Sequence, residues 1–174
     1  MLKVISLLFV LVTLSNAVIR KSSFTSGHVI KGKEATGINL TKDKNGQTVI
    51  EWTEQFDSYN DLTVYISQIY EDTGRLQVIE LANLCKEYPN DSFDQTIKLW
   101  MLKFFRHTKR CPIKTGKITL RYPLRNTYNA TIAGKECGPI LSTIQFVKTK
   151  KPDSNSDKAP LMISAQLRGA VTGC

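Results

Sequence analysis

Short runs in which apolar and polar residues alternate recur along the chain, and turn-forming residues separate them. In the run QTVIEWTEQF, the side chains of Ile50, Trp52 and Phe56 fall on one face of an extended strand. Asn45 and Gly46 come just before this run and favour a hairpin turn, because both residue types tolerate a positive φ. About seven or eight such runs, roughly 10 to 15 residues apart, predict a mostly β protein, an antiparallel β-sandwich of two sheets.

The remaining predicted strands follow the same period of two. They cover residues 61–70, 75–81, 117–124, 127–133, 139–149 and 160–169. The run 117–124 is a single strand in this prediction, because its apolar residues stand at alternate positions. Residues 18–36 are polar and have no period, which predicts an extended N-terminal arm ahead of a single β domain at 37–174.

One segment, at about 91–107, follows a helical period instead. Its apolar residues recur three or four positions apart, as on one face of an amphipathic helix. They are Phe93, Ile97, Trp100, Met101, Phe104 and Phe105. Asp91 is the expected N-cap, and the charge of Asp94 in the first turn suits the helix dipole. The polar face is predicted to comprise Gln95, Lys98 and Lys103.

The N-terminus has the features of a secretory signal peptide. Lys3 precedes an apolar run from Val4 to Leu14, and the small residues that follow suit a signal peptidase. The run is shorter than the ~20 apolar residues that a membrane helix needs. We therefore expect residues 1–17 to be removed and the mature protein to be secreted and extracellular. Glycosylation sequons fit this expectation and begin at Asn39, Asn90 and Asn129.

Four cysteines are expected to form disulfides in that oxidising compartment. Cys85 precedes the predicted helix and Cys111 follows it, so a bond between them would hold the helix on the sheet. In the chain-entropy description this bond would contribute about 3.5 kcal/mol. The remaining pair, Cys137 and Cys174, would tie the last residue to the start of the final hairpin. Four thiols allow three pairings, and this one is our hypothesis.

The chain is basic, with a net charge of +9 and a pI of about 9.4. This balance favours anionic partners such as lipid head groups, acidic glycans or nucleic acid. The basic residues are spread along the chain, however, and no aromatic residues are interleaved with the densest run at 148–151. We therefore expect no nucleic-acid partner.

Residues that could catalyse a reaction are sparse. Of the two histidines, His28 lies in the predicted arm and His107 at the end of the predicted helix. The sequence contains no nucleophile elbow, phosphate-binding loop or paired-histidine motif. His107 stands four residues before Cys111, which leaves a Cys–His pair or a metal site as a minor alternative, but the chain has no CxxC spacing for zinc. We expect a protein that is not an enzyme and that uses no metal or cofactor.

The order of LANLCKEY, the amphipathic helix, RCPIKTGKITL and MISAQLRG resembles the ganglioside-activator branch of the ML lipid-recognition superfamily, and small insect secreted relatives of it. The most specific part is the element Cys111-Pro112-Ile113-Lys114-Thr115-Gly116, which opens a strand in those families. The resemblance covers residues 45–174. The mammalian activator has a further cysteine close before this element, where the present chain has Thr108-Lys109-Arg110.

This resemblance implies an immunoglobulin-like β-cup that holds a lipid between two sheets and has no catalytic centre. The predicted lipid-binding residues are Trp52, Val64, Ile66, Trp100, Phe104, Phe105, Leu120 and Ile144. A chain of about 16 carbons that buries about 14 methylenes would gain on the order of 11 kcal/mol before ordering costs. Alternation alone does not distinguish such a hollow from a filled core built of the same residues.

The sequence thus predicts a secreted lipid-binding or carrier protein for an acyl-chain or sterol-like ligand, with a chemosensory or lipid-transfer role. Its expected partners are the hydrophobic ligand and a membrane surface. The alternative is a secreted venom, seminal or immune factor that binds a protein receptor and has no lipid cargo. The volume of the interior discriminates between these two functions.

Overall fold

The computed structural model describes residues 19–129, 136–149 and 159–174. Within these ranges, two antiparallel β-sheets of six and three strands and one α-helix surround a shared apolar core. This arrangement confirms the predicted mostly β, two-sheet sandwich with an inserted helix. The predicted signal peptide, residues 1–17, lies outside the described residues.

The elements follow one another along the chain in the order expected of a β protein with one helical insertion. The strands are β1 (Ile19–Lys31), β2 (Ile38–Lys42), β3 (Thr48–Trp52), β4 (Leu62–Tyr70), β5 (Leu76–Leu81), β6 (Gly116–Thr119), β7 (Leu124–Asn129), β8 (Gly138–Lys148) and β9 (Leu161–Thr172). The helix α1 spans Phe93–Arg106, between β5 and β6. No helix in the described part of the chain is long and apolar enough to cross a membrane.

The large sheet has the strand order β5-β4-β8-β9-β1-β7. Strands β8 and β9 pair as the predicted final hairpin, with Ile144 opposite Ala165, and β4 lies on the other side of β8. Inward-facing residues such as Val64 and Ile66 are fully buried, because every second position faces the core. The predicted loop at 150–158 and the end of the predicted strand 127–133 lie outside the described residues.

Residues 19–31, expected to belong to an extended arm, form strand β1 inside the large sheet. This strand lies between β9 and β7 and pairs with both, so the domain begins well before residue 37. Two features of this strand explain why the sequence shows no regular alternation there. A β-bulge between Phe24 and Ser26 shifts the alternation by one residue. In addition, the buried residues at its start include the polar Arg20 and Ser22.

The small sheet has the order β2-β3-β6. The predicted turn at Asn45-Gly46 is confirmed: Gly46 has φ +74°, and the Asp43 carboxylate accepts hydrogen bonds from the backbone N–H groups of Asn45 and Gln47. The prediction of one strand at 117–124 is wrong. Strand β6 ends at residue 119 and β7 begins at 124 in the other sheet, because Pro123 has no N–H group with which to continue a ladder.

Helix α1 begins after Ser92, whose hydroxyl accepts a hydrogen bond from the backbone N–H of Gln95 at 3.1 Å. Ser92, and not the predicted Asp91, is therefore the N-cap. Asp94 stands in the first turn as predicted, and His107 ends the helix in a left-handed conformation. Of the predicted apolar face, Phe93 is half-buried and the other five residues are buried: Ile97, Trp100, Met101, Phe104 and Phe105.

The prediction that Lys98 lies on the polar face is wrong, because this residue is only 4% exposed. Its ammonium group donates a hydrogen bond to the Lys86 carbonyl oxygen at 2.8 Å and lies 3.7 Å from the Glu87 carboxylate. A long lysine side chain can bury its methylene groups in this way while its charge stays hydrogen-bonded.

Two disulfides join Cys85 to Cys111 and Cys137 to Cys174. This is the pairing hypothesised from the sequence. The first bond connects the segment before α1 to the segment after it, and residue 113 then pairs with residue 56 through two backbone hydrogen bonds. The segments on both sides of the helix are consequently tied to each other, and the later one also pairs with residue 56, four residues beyond the end of β3.

Candidate functional site

One region of the interior is filled by aromatic rings. Trp52 contacts Phe56 with ring centroids 5.5 Å apart and Phe146 at 6.5 Å, and Phe105 of α1 contacts Phe146 at 4.8 Å. All of these pairs are edge-to-face, the geometry that the ring quadrupoles favour. We call Trp52, Phe56, Phe105 and Phe146 the aromatic cluster.

The indole group of Trp52 is satisfied within this cluster. Its Nε1–H donates a hydrogen bond to the Phe105 carbonyl oxygen at 2.9 Å, and the residue is 1% exposed. This carbonyl lies in the last turn of α1, where the helix itself leaves carbonyl groups without partners. Trp52 therefore serves the fold, by joining the small sheet to the end of the helix.

The predicted lipid-binding residues are all buried. They are Trp52, Val64, Ile66, Trp100, Phe104, Phe105, Leu120 and Ile144. All eight belong to the packed core, and Trp100 is the one among them that also lines the two cavities beside α1 described below. These two cavities lie beside the helix.

The larger space, which we call the α1 cavity, has a volume of about 590 Å³. It lies between α1, strand β7 and the start of β1. Its lining residues are Ile19, Asp91, Phe93, Thr96, Leu99, Trp100, Lys103, Lys109, Asn126, Thr127 and Tyr128. Ligand pockets for small molecules typically measure about 300–1,000 Å³, so the α1 cavity has the size of a binding site.

A smaller space, the inner pocket, has a volume of about 40 Å³. It is lined by Ser22, Gln68, Gln77, Ile79, Phe93, Thr96, Ile97, Trp100 and Tyr128. Four residues line both spaces: Phe93, Thr96, Trp100 and Tyr128. The inner pocket therefore adjoins the α1 cavity and extends it along the large sheet to residues of β4 and β5.

Trp100 stands where the two spaces meet. Its ring stacks on Phe24 of β1 with centroids 5.8 Å apart and meets the edge of Phe104 at 5.5 Å. These two contacts fix the plane of the indole. Its Nε1 atom is buried and has no hydrogen-bond partner among the residues that the structure describes. Such an unsatisfied donor costs about 1–3 kcal/mol, which is unusual in a well-packed interior.

The inner pocket is polar on the side of the large sheet. The Ser22 hydroxyl is also buried without a partner in the described ranges, and the Ser142 hydroxyl donates to the Gln68 side-chain oxygen at 3.3 Å. Burial raises the pKa of Tyr128, nearby Tyr70 raises it further and Arg20 opposes the change. The Tyr128 phenol is consequently neutral and keeps its proton at physiological pH.

The mouth of the α1 cavity carries positive charge. Lys103 and Lys109 line it and are exposed, and Asp91 is the acidic residue beside them. The Lys103 ammonium group donates to the Arg125 carbonyl oxygen at 3.1 Å, which places the lysine across the gap between α1 and β7. An anionic group or an anionic surface would be attracted to this side of the molecule.

The groups considered for catalysis do not come together. His28 lies on the exposed side of β1, and His107 caps the far end of α1. Cys111 is bonded to Cys85, so the alternative of a free thiol beside His107 is wrong. Among the described residues, no cluster of three or more metal-ligating side chains occurs.

Two of the predicted glycosylation sites are accessible. Asn39 in β2 and Asn90 before α1 are both exposed, and the Asn39 side-chain oxygen accepts a hydrogen bond from Lys31 at 3.3 Å. The backbone of Asn129 belongs to β7, but its side chain and the rest of that sequon lie outside the described residues.

Neither a protein-family model nor a curated protein matches the chain. The sequence had singled out Trp100 but missed Ser22, Gln68 and Tyr128. These polar residues interrupt the apolar alternation, and their only sequence signal is a polar residue at an inward position of a strand. Alternation can reveal such positions once the strand and its bulge are known.

Proposed function

We propose that the protein is a secreted carrier that binds the hydrocarbon part of a lipid-like molecule in the α1 cavity and does not transform it. The observation that carries this proposal is the α1 cavity itself, whose size suits a ligand and whose walls include Phe93, Leu99 and Trp100. The likeness of the Cys111–Gly116 element to the ML lipid-recognition proteins supports the same function.

The energy available from such a cavity is sufficient for binding. Each buried methylene contributes about 0.8 kcal/mol, so ten methylenes would give roughly 8 kcal/mol before the costs of ordering and association. The aromatic walls come from the helix, which the Cys85–Cys111 bond holds in place. A rigid wall reduces the ordering cost that a ligand must overcome.

The charge at the mouth supports transfer to or from a membrane. Lys103 and Lys109 are exposed beside the opening, and the whole chain carries a net charge of +9. Each basic residue near an anionic bilayer contributes about 1 kcal/mol of attraction. An anionic membrane surface would therefore meet the side of the protein through which the ligand enters.

The test is the lipid content of the protein secreted by a eukaryotic cell line. Native mass spectrometry of the purified, oxidised protein should show bound species that organic extraction releases, or should show uptake of an added fluorescent fatty acid. Replacing Leu99 with Trp should reduce that uptake at least about tenfold, because the larger side chain occupies the α1 cavity.

Lys44→Trp is the matched control. It introduces the same indole group at an exposed turn between β2 and β3, far along the chain from α1. This variant should take up the probe as the unmodified protein does. If neither natural lipids nor the added probe are ever retained by the unmodified protein, the carrier function is refuted.

A receptor-binding protein without lipid cargo is the second candidate. Exposed apolar side chains lie side by side on the outer face of the large sheet, with Ile69 opposite both Leu76 and Leu141, and Val78 close by on β5. Contiguous exposed apolar groups are typical of protein-binding surfaces. This function would take precedence if the lipid experiments gave empty protein.

A further inference from the structure

We infer that the inner pocket holds an uncharged oxygen of the ligand, so that the preferred cargo is a hydrocarbon chain with a neutral terminal oxygen, such as a long-chain alcohol or aldehyde. This inference rests on the proposed function and specifies its ligand class. The oxygen enters first and the hydrocarbon chain fills the α1 cavity behind it.

Two buried hydrogen-bond donors carry this inference. Trp100 is 6% exposed and Ser22 is 5% exposed, and the Trp100 Nε1 and Ser22 Oγ atoms are both buried without a hydrogen-bond partner in the described part of the chain. Both residues line the inner pocket. An indole N–H group can only donate a hydrogen bond, so the group that satisfies Trp100 must be an acceptor.

The size of the pocket restricts that acceptor to a small group. A volume of about 40 Å³ admits one oxygen and the carbon that bears it, while the chain must continue into the adjoining cavity. The residues shared by the two spaces, including Thr96 and Tyr128, form the passage between them. A hydroxyl or carbonyl oxygen at the end of an alkyl chain has this shape.

The charge distribution argues for a neutral oxygen over a carboxylate. The cationic side chains Lys103 and Lys109 line the α1 cavity at its mouth and do not line the inner pocket. Arg20 is buried nearby but lines neither space, and one of its guanidinium nitrogens donates to the Glu136 carbonyl oxygen at 3.4 Å. Burying an unpaired carboxylate beside neutral donors would cost far more than burying a hydroxyl group.

The test compares decan-1-ol with undecane, which have the same number of non-hydrogen atoms but differ in one oxygen. Dissociation constants of both are measured by displacement of a fluorescent fatty acid from the oxidised protein. Trp100→Phe keeps an aromatic ring and removes the N–H group, and Ser22→Ala removes the hydroxyl. Each substitution should raise the ratio of the alcohol's Kd to the alkane's Kd by about tenfold, the loss of one buried hydrogen bond.

Leu99→Ala is the matched control, because Leu99 lines the α1 cavity but not the inner pocket. It should weaken both ligands and leave the ratio within about twofold, since it removes only apolar contact. Decanoate is the third ligand. It should compete less well than decan-1-ol, and Trp100→Phe should affect it less.

The outcomes separate the two levels of the proposal. If the alcohol and the alkane both bind but neither Trp100→Phe nor Ser22→Ala changes their ratio, the inner-oxygen inference is overturned and the carrier function stands. The inner-oxygen inference is also overturned, and the carrier function again stands, if decanoate binds best and its affinity depends on Lys103 and Lys109. If no ligand displaces the probe and no probe binds, the carrier function itself fails.

Discussion

The two tryptophans of the chain occupy two different kinds of interior. Trp52 has its N–H group bonded to the Phe105 carbonyl and lies among rings that contact one another. Trp100 is almost as deeply buried, but its N–H group has no partner among the described residues and its ring borders two cavities. The same residue type thus completes the fold in one place and borders a cavity in the other.

This difference shows where to look for function in a β-sandwich with an inserted helix. Helix α1 joins the aromatic cluster through Phe105 in its last turn, whereas residues from Phe93 to Lys103 border the space beside β7. A satisfied polar group in a packed region has a structural role. An unsatisfied one beside a cavity is costly to keep, and a ligand acceptor would remove that cost.

Removal of the Cys85–Cys111 bond should give the largest effect on stability. Replacing both cysteines with alanine should lower the free energy of unfolding by about 3.5 kcal/mol, because the unfolded chain loses a loop constraint. Urea denaturation checks the value. If the variant stays folded without denaturant, it should bind the fluorescent fatty acid more weakly, because the helix wall is then less rigid. An unchanged free energy of unfolding would contradict the prediction.

The next largest effect on the free energy of unfolding comes from Asp61, and it depends on pH. The residue is 5% exposed, and burial raises its pKa from the ordinary value of 3.8 to about 6, although the Thr149 hydroxyl donates to it at 3.3 Å. The folded protein therefore holds this proton more tightly than the unfolded chain does. The contribution of Asp61 to stability should be fully present below about pH 4 and should fall by at most about 3 kcal/mol as the pH rises through 6.

Asp61→Asn supplies the control for that prediction. An amide has nearly the shape of the carboxyl group and does not titrate, so the part of the pH dependence between pH 4 and 6 that Asp61 causes should disappear. Thermal unfolding of both proteins over this interval measures the difference. Parallel profiles for the two proteins would show that Asp61 is not the group that titrates.

Matched substitutions of the two tryptophans give the smallest effect and the sharpest comparison. Trp52→Phe should cost about 2 kcal/mol of unfolding free energy, because it removes ring volume from a packed region and a buried hydrogen bond. Trp100→Phe should cost about 1 kcal/mol or less, since no hydrogen bond is lost and a cavity already adjoins the ring. Equal costs, measured by urea denaturation, would mean that the two regions do not differ in packing.

Much of the fold could be predicted from the sequence, for a physical reason. Strands β4 and β8 alternate regularly because one face of each is buried, and α1 has an apolar face of helical period. Strand β1 escaped prediction because its bulge shifts the period and because Arg20 and Ser22 face inward. Pro123 is a residue type that interrupts strands, and it marks the change from β6 to β7. The alternation of apolar residues on both sides of it nevertheless led to the prediction of a single strand.

The candidate site was far less predictable. Trp100 was the one predicted ligand residue that lines a cavity beside α1, because every apolar inward residue looks the same in a pattern of alternation. The α1 cavity arises from the distance between a helix and a strand, β7, that lies at the edge of the sheet opposite β5. Such distances depend on tertiary packing and leave no periodic signal.

The central claim, that a hydrocarbon chain lies against Trp100 and not against Trp52, can be measured directly with a dibrominated stearic acid, since bromine quenches indole fluorescence only near contact. Two single-tryptophan proteins, Trp52→Phe and Trp100→Phe, are titrated with it, and the unbrominated acid controls for indirect changes. The account predicts strong quenching in the protein that retains Trp100 and little in the protein that retains Trp52. Quenching of Trp52 alone, or equal quenching of both, would contradict it.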